Sequence, residues 1–288
     1  MPSALDLRRL ASAVKRRLAP APPVPQPAAP AQQLVDFVCN ICGHPNTGVP
    51  REHMQNREGQ SCRSCTSSLR MRSVMYALST ELFGKALVVR DFPVDKSIAG
   101  VGMSDWEGYA APLRGKFDYT NTYYHAEPRL DITRIPDEAV GRYRFLLSSD
   151  VFEHIPGFAL DDAFRNAYRL LHDGGVFIFT VPFLKSGETQ EHFPRLHDFR
   201  IVETRGKRFL YNRTADGVEE IFDDLVFHGG EGMTLEMRMF TQPDLLRRLR
   251  EAGFSSAEVR IDYAPEYGIH WPIDYAVPIV ARRAGSTA

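Results

Sequence analysis

The chain has 288 residues, 43% of them hydrophobic and 25% charged, with a formal net charge of −1. This length accommodates one large domain and a small module. Near-neutrality excludes a global electrostatic pull toward nucleic acid or anionic membrane, and no apolar run has the length of a transmembrane helix.

Residues 1–18 read as a basic amphipathic helix or arm. Leu5, Leu7, Leu10, Val14 and Leu18 lie broadly on one side, among Arg8, Arg9, Lys15, Arg16 and Arg17. Such a helix can make weak contact with a membrane surface or a partner, although an isolated helix this short is marginal in water. The same basic residues interrupt the apolar core that an export signal needs. Residues 19–33 are dense in proline and alanine, which keeps them extended as a linker.

Residues 34–75 form the expected metal module. Cys39 and Cys42 make one Cys-x-x-Cys pair and, after nineteen residues, Cys62 and Cys65 make the second. Two such pairs can present four thiolates tetrahedrally to one Zn2+. Four protein ligands leave no open position, so the zinc is structural. Gly43 and Ser64 are small enough for the tight turns involved. The absence of cysteines elsewhere points to a reducing, cytoplasmic setting. A helix follows, with Leu69, Val74, Leu78 and Leu82 on its apolar side. Arg63, Arg70 and Arg72 lack interleaved aromatics, so they read as a solvated or docking face and nucleic acid is not an expected partner.

Lys96 to Asp105 contains I-A-G-V-G-M-S-D, a strand end with Gly100 and Gly102 followed by Ser104 and Asp105, then a short helix from Trp106 to Leu113. A lone G-x-G is weak by itself, and an ordinary strand end is the alternative. Phe117 to Tyr124 is β-rich. Phe145-Leu146-Leu147 is a buried strand halted by Ser148-Ser149-Asp150. Phe158 to His172 has helical spacing ended by Asp173-Gly174-Gly175, and Val176 to Val181 is the next strand. Strand, helix and parallel strand make a right-handed βαβ unit, which binds ligands beyond the carboxyl ends of its strands.

Residues 184–239 exceed what the bare fold needs. They are rich in His, Arg, Gly and acids, including His192, His197, Asp198, His228 and Glu231. Their place at the sheet edge suits a substrate lid, with His192, His197 and His228 as candidate general bases. Thr241 to Gly253 reads as the last helix, and Ala257 to Tyr263 with Tyr275 to Arg282 as a closing antiparallel pair.

The run S-S-D-V-F-E-H-I-P, with the helix ending R-L-L-H-D-G-G-V-F-I-F-T-V-P, closely resembles the fourth strand, helix and fifth strand of class I S-adenosylmethionine-dependent methyltransferases, type 11-like. The C-x-x-C-x-S-x-x-R-x-R stretch from Cys62 to Arg72 is similar to an N-terminal zinc segment in some members. The resemblance implies an α/β Rossmann-like fold, a mostly parallel seven-stranded sheet, over residues 76–284. It also implies S-adenosyl-L-methionine as cofactor. Carried over position by position, the cofactor residues would be Gly100, Gly102, Ser104, Asp105, Asn121, Thr122, Asp131, Ile132, Ser149 and Asp150. Asn121 and Thr122 stand where the family places a ribose-binding acid, and Asp131 where an aspartate holds the adenine amino group; a capping role for Asp131 is the alternative. The expected acceptor is a small molecule or glycan. Two other readings remain: a methyltransferase-like binding module that has lost its cofactor, and a nucleic-acid methyltransferase gripping phosphate through the zinc ribbon.

Overall fold

The structure, a computed structural model, describes residues 33–228 and 234–285. The basic arm, the linker, and Glu231 with the glycine run 229–232 lie outside the described residues. So does the side chain of His228.

The chain begins with two antiparallel strands, β1 (Leu34–Val38) and β2 (Pro45–Pro50), followed by the short helix α1 (Arg51–Gln55). Helix α2 (Leu69–Phe83) starts at Ser68, whose hydroxyl accepts from Met71 N, and ends at Gly84 in the left-handed conformation. Both ends therefore follow capping chemistry. Next come β3 (Ala99–Met103), α3 (Glu107–Lys116), β4 (Asp118–Thr122), β5 (Tyr143–Ser149), α4 (Leu160–Leu170) and β6 (Leu171–Thr180).

After β6 come β7 (Phe183–Leu184), β8 (Gln190–Glu191), β9 (Asp198–Thr204), β10 (Lys207–Arg213), β11 (Glu219–Phe222), β12 (Phe227–His228), β13 (Thr234–Leu235) and β14 (Arg238–Thr241). Helix α5 (Gln242–Ala252) ends at Gly253, φ +110°, and is followed by β15 (Ser256–Val259), β16 (Tyr263–Ala264), β17 (Ile269–His270) and β18 (Ile279–Arg282).

The central sheet has the order β15-β18-β6-β5-β3-β4. β4, β3, β5 and β6 are mutually parallel, while β18 runs antiparallel to both β6 and β15. The expected mostly parallel, Rossmann-like sheet is present, with six strands rather than seven. Beyond β4, a single parallel bridge joins Tyr123 and Arg129. The chain runs from β3 outward to β4, then crosses to the opposite side of β3 to form β5. This reversal is the switch point at which such sheets bind ligands.

The helix before β6 also differs from expectation. It stops at Leu170, because Leu171 is already extended, and Gly174, φ +76°, lies inside β6 where the pairing with β5 shifts register. Gly174-Gly175 thus makes an irregularity at the strand's start instead of a helix cap.

Side chains alternate across the sheet as the period of two demands. Leu146, Phe177 and Phe179 join Phe164 of α4 and Leu245 and Leu249 of α5 in one apolar cluster. Phe145, Leu147, Val176 and Ile178 join a second cluster with Val74 and Leu78 of α2, Tyr109 and Leu113 of α3, and Phe37, Cys39, Ile41 and Val49 of the cysteine segment. The cysteine segment is thus built into the layer covering one face of the sheet. The insertion has its own small core of Phe193, Leu196, Leu210, Leu235 and Met237.

Candidate functional site

The cysteine segment folds into two matching turns. Gly43 N donates to Cys39 O at 2.8 Å and Thr66 N to Cys62 O at 2.9 Å. Cys39 N in turn donates to His44 O at 3.0 Å, and Cys62 N to Ser67 O at 3.3 Å. Each turn needs a left-handed residue directly after its second cysteine: Gly43 at φ +76° and Thr66 at φ +61°. The small residue expected to relax the second turn was Ser64, but the positive φ falls on Thr66.

The turns bring all four sulfur atoms within 4.8 Å of one another, with Cys39–Cys65 at 3.6 Å and Cys42–Cys62 at 3.7 Å. A tetrahedron with metal–sulfur bonds of about 2.3 Å has edges of about 3.8 Å, so the donor set fits zinc. His44 and His53 are outside this group. The hydrogen bond with Cys65, against burial, holds the Cys39 thiol down to about 4.

Behind the sulfurs lies fully buried Arg72. It donates to Ser67 O at 2.8 Å, Ser61 Oγ at 3.0 Å and Gly268 O at 3.2 Å, and Ser67 Oγ touches Cys39 Sγ at 3.3 Å. Burial lowers its pKa to about 10, opposed by the nearby cysteine charges. Arg72 is therefore turned inward, and cannot serve a phosphate backbone from there.

At the end of β3, the two glycines are required by the protein's own packing. A Cβ on Gly100 would overlap the Phe145 ring, and one on Gly102 would overlap the Tyr119 hydroxyl and the Asp105 carboxylate. Ser104 turns the chain at φ +57°. Asp105 is buried and accepts hydrogen bonds from the Tyr109 and Tyr119 hydroxyls. Burial raises its pKa to about 6, against the pull of those two hydroxyls.

The neighbouring polar residues are likewise engaged within the loop. Asn121 Oδ1 accepts from Asp105 N at 2.9 Å and its Nδ2 donates to Asp105 O at 2.8 Å, while Thr122 Oγ1 donates to Gly102 O at 2.7 Å. Asp105, Asn121 and Thr122 thus hold the turn in shape. Asp131 Oδ1 accepts from both Thr133 N at 3.0 Å and Thr133 Oγ1 at 2.7 Å, a local turn. Ile132 is buried.

Across the switch point, Asp150 adopts φ +54° at the end of β5. Its carboxylate receives Arg57 at 2.6 and 3.0 Å and Thr180 Oγ1 at 3.0 Å, with Arg70 Nε at 3.5 Å. Burial alone would raise its pKa, but Arg57 and then Arg70 hold it down to about 2. Ser149 Oγ accepts from Arg70 and lies 3.1 Å from Thr180 Oγ1. The residues at the two strand ends are thus brought together, and the metal module adds two arginines to them. Charge pattern alone had marked Arg70 as a surface or docking group and had left Arg57 unremarked.

The insertion meets the sheet through the segment 152–154. Met237 N donates to Glu153 O at 2.8 Å, His154 Nδ1 lies 3.0 Å from Leu235 O, and buried Arg238 donates to Phe152 O at 3.1 Å and Glu191 Oε1 at 2.6 Å. In the two-residue connection just before β14, Glu236, 5% exposed, lies with Oε1 3.0 Å from His192 Nε2, and His192 N donates to Met237 O at 2.9 Å. His197 sits apart on an exposed turn, its backbone N donating to Asn212 Oδ1 at 2.9 Å. Of the three histidines, the structure gives His192 a buried carboxylate partner. Sequence reasoning had not singled out Glu236, because its tie to His192 spans forty-four residues.

No protein-family model and no curated protein sequence matches the chain. Solved structures similar to it include the 1,6-didemethyltoxoflavin N1-methyltransferase of Burkholderia thailandensis, with 1,6-didemethyltoxoflavin and S-adenosylhomocysteine bound. It is 16% identical, with a TM-score of 0.43 over 75% of this chain and 78% of that one. A sugar N-methyltransferase from Streptoalloteichus is 14% identical, with a TM-score of 0.40 over 73% of this chain and 87% of that one. An amino pentose methyltransferase from Micromonospora echinaspora, with S-adenosylmethionine bound, is 13% identical, with a TM-score of 0.37 over 65% and 84%.

Proposed function

We propose that the protein is an S-adenosylmethionine-dependent methyltransferase acting on a hydroxyl or amine of a small molecule or sugar, with a structural zinc in its cysteine module. The observation that carries this reading is the switch point of the sheet, where Met103–Asp105 and Ser149–Asp150 end neighbouring parallel strands and the second end bears the methyltransferase-like S-S-D-V-F-E-H-I-P run. When bound, the cofactor supplies a methyl group already activated by its positive sulfur.

The chain then needs to position the acceptor, exclude water and remove one proton. Ser104 and Ser149 stand at the two strand ends, and Gly102 and Asp131 are where the family resemblance places further cofactor contacts. The insertion is the acceptor lid. His192 is the base, because buried Glu236 orients its ring and balances the positive charge formed on protonation. The four-thiol centre suits a reducing, cytoplasmic setting. Among the described residues, no helix is long and apolar enough to cross a membrane. The nucleic-acid reading loses support, because Arg70 and Arg72 make their contacts inside the protein.

Calorimetric titration with S-adenosylhomocysteine separates an enzyme from a module that no longer binds cofactor. Against an amine or hydroxyl acceptor found by screening, His192→Ala should lower turnover about a hundredfold with cofactor affinity unchanged. Glu236→Gln should lower it less and alter the pH–rate profile. Full turnover in His192→Ala would move the base to His154 or Glu153.

A further inference from the structure

Two arginines of the cysteine module reach the end of β5 at the switch point, and one of them also holds a half-exposed carboxylate. Arg70, in the first turn of α2, donates to Ser149 Oγ at the end of β5, and its Nε lies 3.5 Å from Asp150 Oδ2. It therefore stands at the end of β5. On its other side, Nε and Nη2 each donate to the Glu58 carboxylate at 2.7 Å, a planar two-bonded pair. The Arg70 side chain is 13% exposed, whereas that of Glu58 is 50% exposed. A buried fork is thus occupied by a carboxylate that is itself half in water.

Asp150 is held differently. Arg57, Thr180 and its own backbone bond to Thr180 O fix it from several sides. Glu58 rests on Arg70, a contact from Arg57 Nη1 and a local bond from its backbone N to Asn56 Oδ1. The two arginines, Asp150 and Glu58 are charge-balanced. Replacing Glu58 by a carboxylate from a ligand preserves that balance, and returning Glu58 to water costs little, because half of it is already there. Without Glu58 or a ligand, Arg70 would keep only the 3.5 Å contact with Asp150, and its fork would lose its two-bonded partner.

We propose that Glu58 is a place-holder and that the Arg70 fork is the seat for the free carboxylate of an amino-acid-bearing nucleoside, so that the metal module recognises the amino-acid end of the cofactor. This rests on the methyltransferase reading and assigns one half of its ligand to a part of the chain outside the sheet. Arg guanidinium is suited to this because its planar donors match a carboxylate two at a time. The zinc knuckles set the position of the fork: Arg57 precedes the second knuckle, Arg70 follows it, and Arg70 N donates to Arg57 O at 3.2 Å.

The test uses the zinc-loaded full chain and two probes in titration calorimetry. S-adenosylhomocysteine carries the amino-acid end, and 5′-methylthioadenosine lacks it. The wild type should favour S-adenosylhomocysteine by about tenfold or more; Arg70→Ala should weaken that probe about 10- to 100-fold, the scale of a charged hydrogen-bonded contact. Glu58→Gln should tighten it several-fold, because a competitor is removed. Neither change should move the affinity for 5′-methylthioadenosine. Arg70→Lys, which keeps charge but loses the fork, serves if the alanine variant loses zinc or its thermal transition. Equal weakening of both probes by Arg70→Ala, or no tightening by Glu58→Gln, overturns the proposal. If the wild type binds both probes alike, the proposal falls and the methyltransferase reading stands. If it binds neither, both fall.

Discussion

The cysteine module and the insertion are both polar-rich attachments to the same sheet, yet they are held by opposite means. In the module, the turns that present the sulfurs are local: each knuckle closes within five residues, and the left-handed residue that permits it directly follows the second cysteine. In the insertion they are remote. Arg238 reaches back to Phe152 O, Met237 N to Glu153 O, and His192 pairs with Glu236. The module can concentrate its stability in one metal centre, whereas the insertion depends on a few long-range ties around a core of five buried side chains. The first arrangement should fail all at once, the second piece by piece.

The largest effect tests the first half of that contrast. Cys39→Ser or Cys62→Ser should abolish zinc and unfold the module, since binding of a structural zinc supplies about 10 kcal/mol or more of folding free energy. Metal analysis of chelator-free protein, with thermal unfolding, reads the result. A zinc-free protein with an unchanged transition would break the comparison from the module's side.

A middle-sized effect tests the other half. Arg238 is fully buried and its partner Glu191 is 28% exposed. Arg238→Ala should cost roughly 3 kcal/mol, the low end for breaking a buried pair because Glu191 is partly wet. Proteolysis should accelerate within 184–239 while zinc content stays whole. Loss of zinc in this variant would show that the two attachments are not separately held.

The smallest effect sharpens the account of the knuckles themselves. Thr66 occupies a conformation that costs a residue with a Cβ roughly 1–2 kcal/mol, and its counterpart in the first knuckle is glycine. Thr66→Gly should raise the module's stability by about 0.5 kcal/mol, once the added flexibility of glycine is subtracted. Competition with a zinc chelator measures it, and weaker retention would show that the Thr66 side chain contributes more than its strain costs.

The module was legible residue by residue because the chemistry is local: four thiols at that spacing have few other uses. The parallel unit β5–α4–β6 was legible for a related reason, since Leu160, Ala163, Phe164, Ala167 and Leu170 report a helix face and Phe145-Leu146-Leu147 a strand without knowledge of any partner. The loop after β3 was legible only as a type. Gly100 and Gly102 lie within β3 itself, where they make room for Phe145, Tyr119 and Asp105, and no spacing within Gly100–Asp105 announces those contacts. The seventh strand that the resemblance implied has no counterpart in the central sheet of the described residues, which ends at β4, with one isolated bridge beyond it between Tyr123 and Arg129.

Sequence by itself therefore determined the parallel β5–α4–β6 unit, the mostly parallel class of the sheet and the clustering of four cysteines, all of which follow from periodicity and short-range spacing. Only the tertiary structure decided which charges meet. Arg57 and Arg70 with Asp150, Glu58 on the Arg70 fork, and His192 with Glu236 are pairings between segments that share no local pattern. An ion pair depends on distance and burial in the folded chain, and a sequence supplies neither until the sheet has brought its ends together.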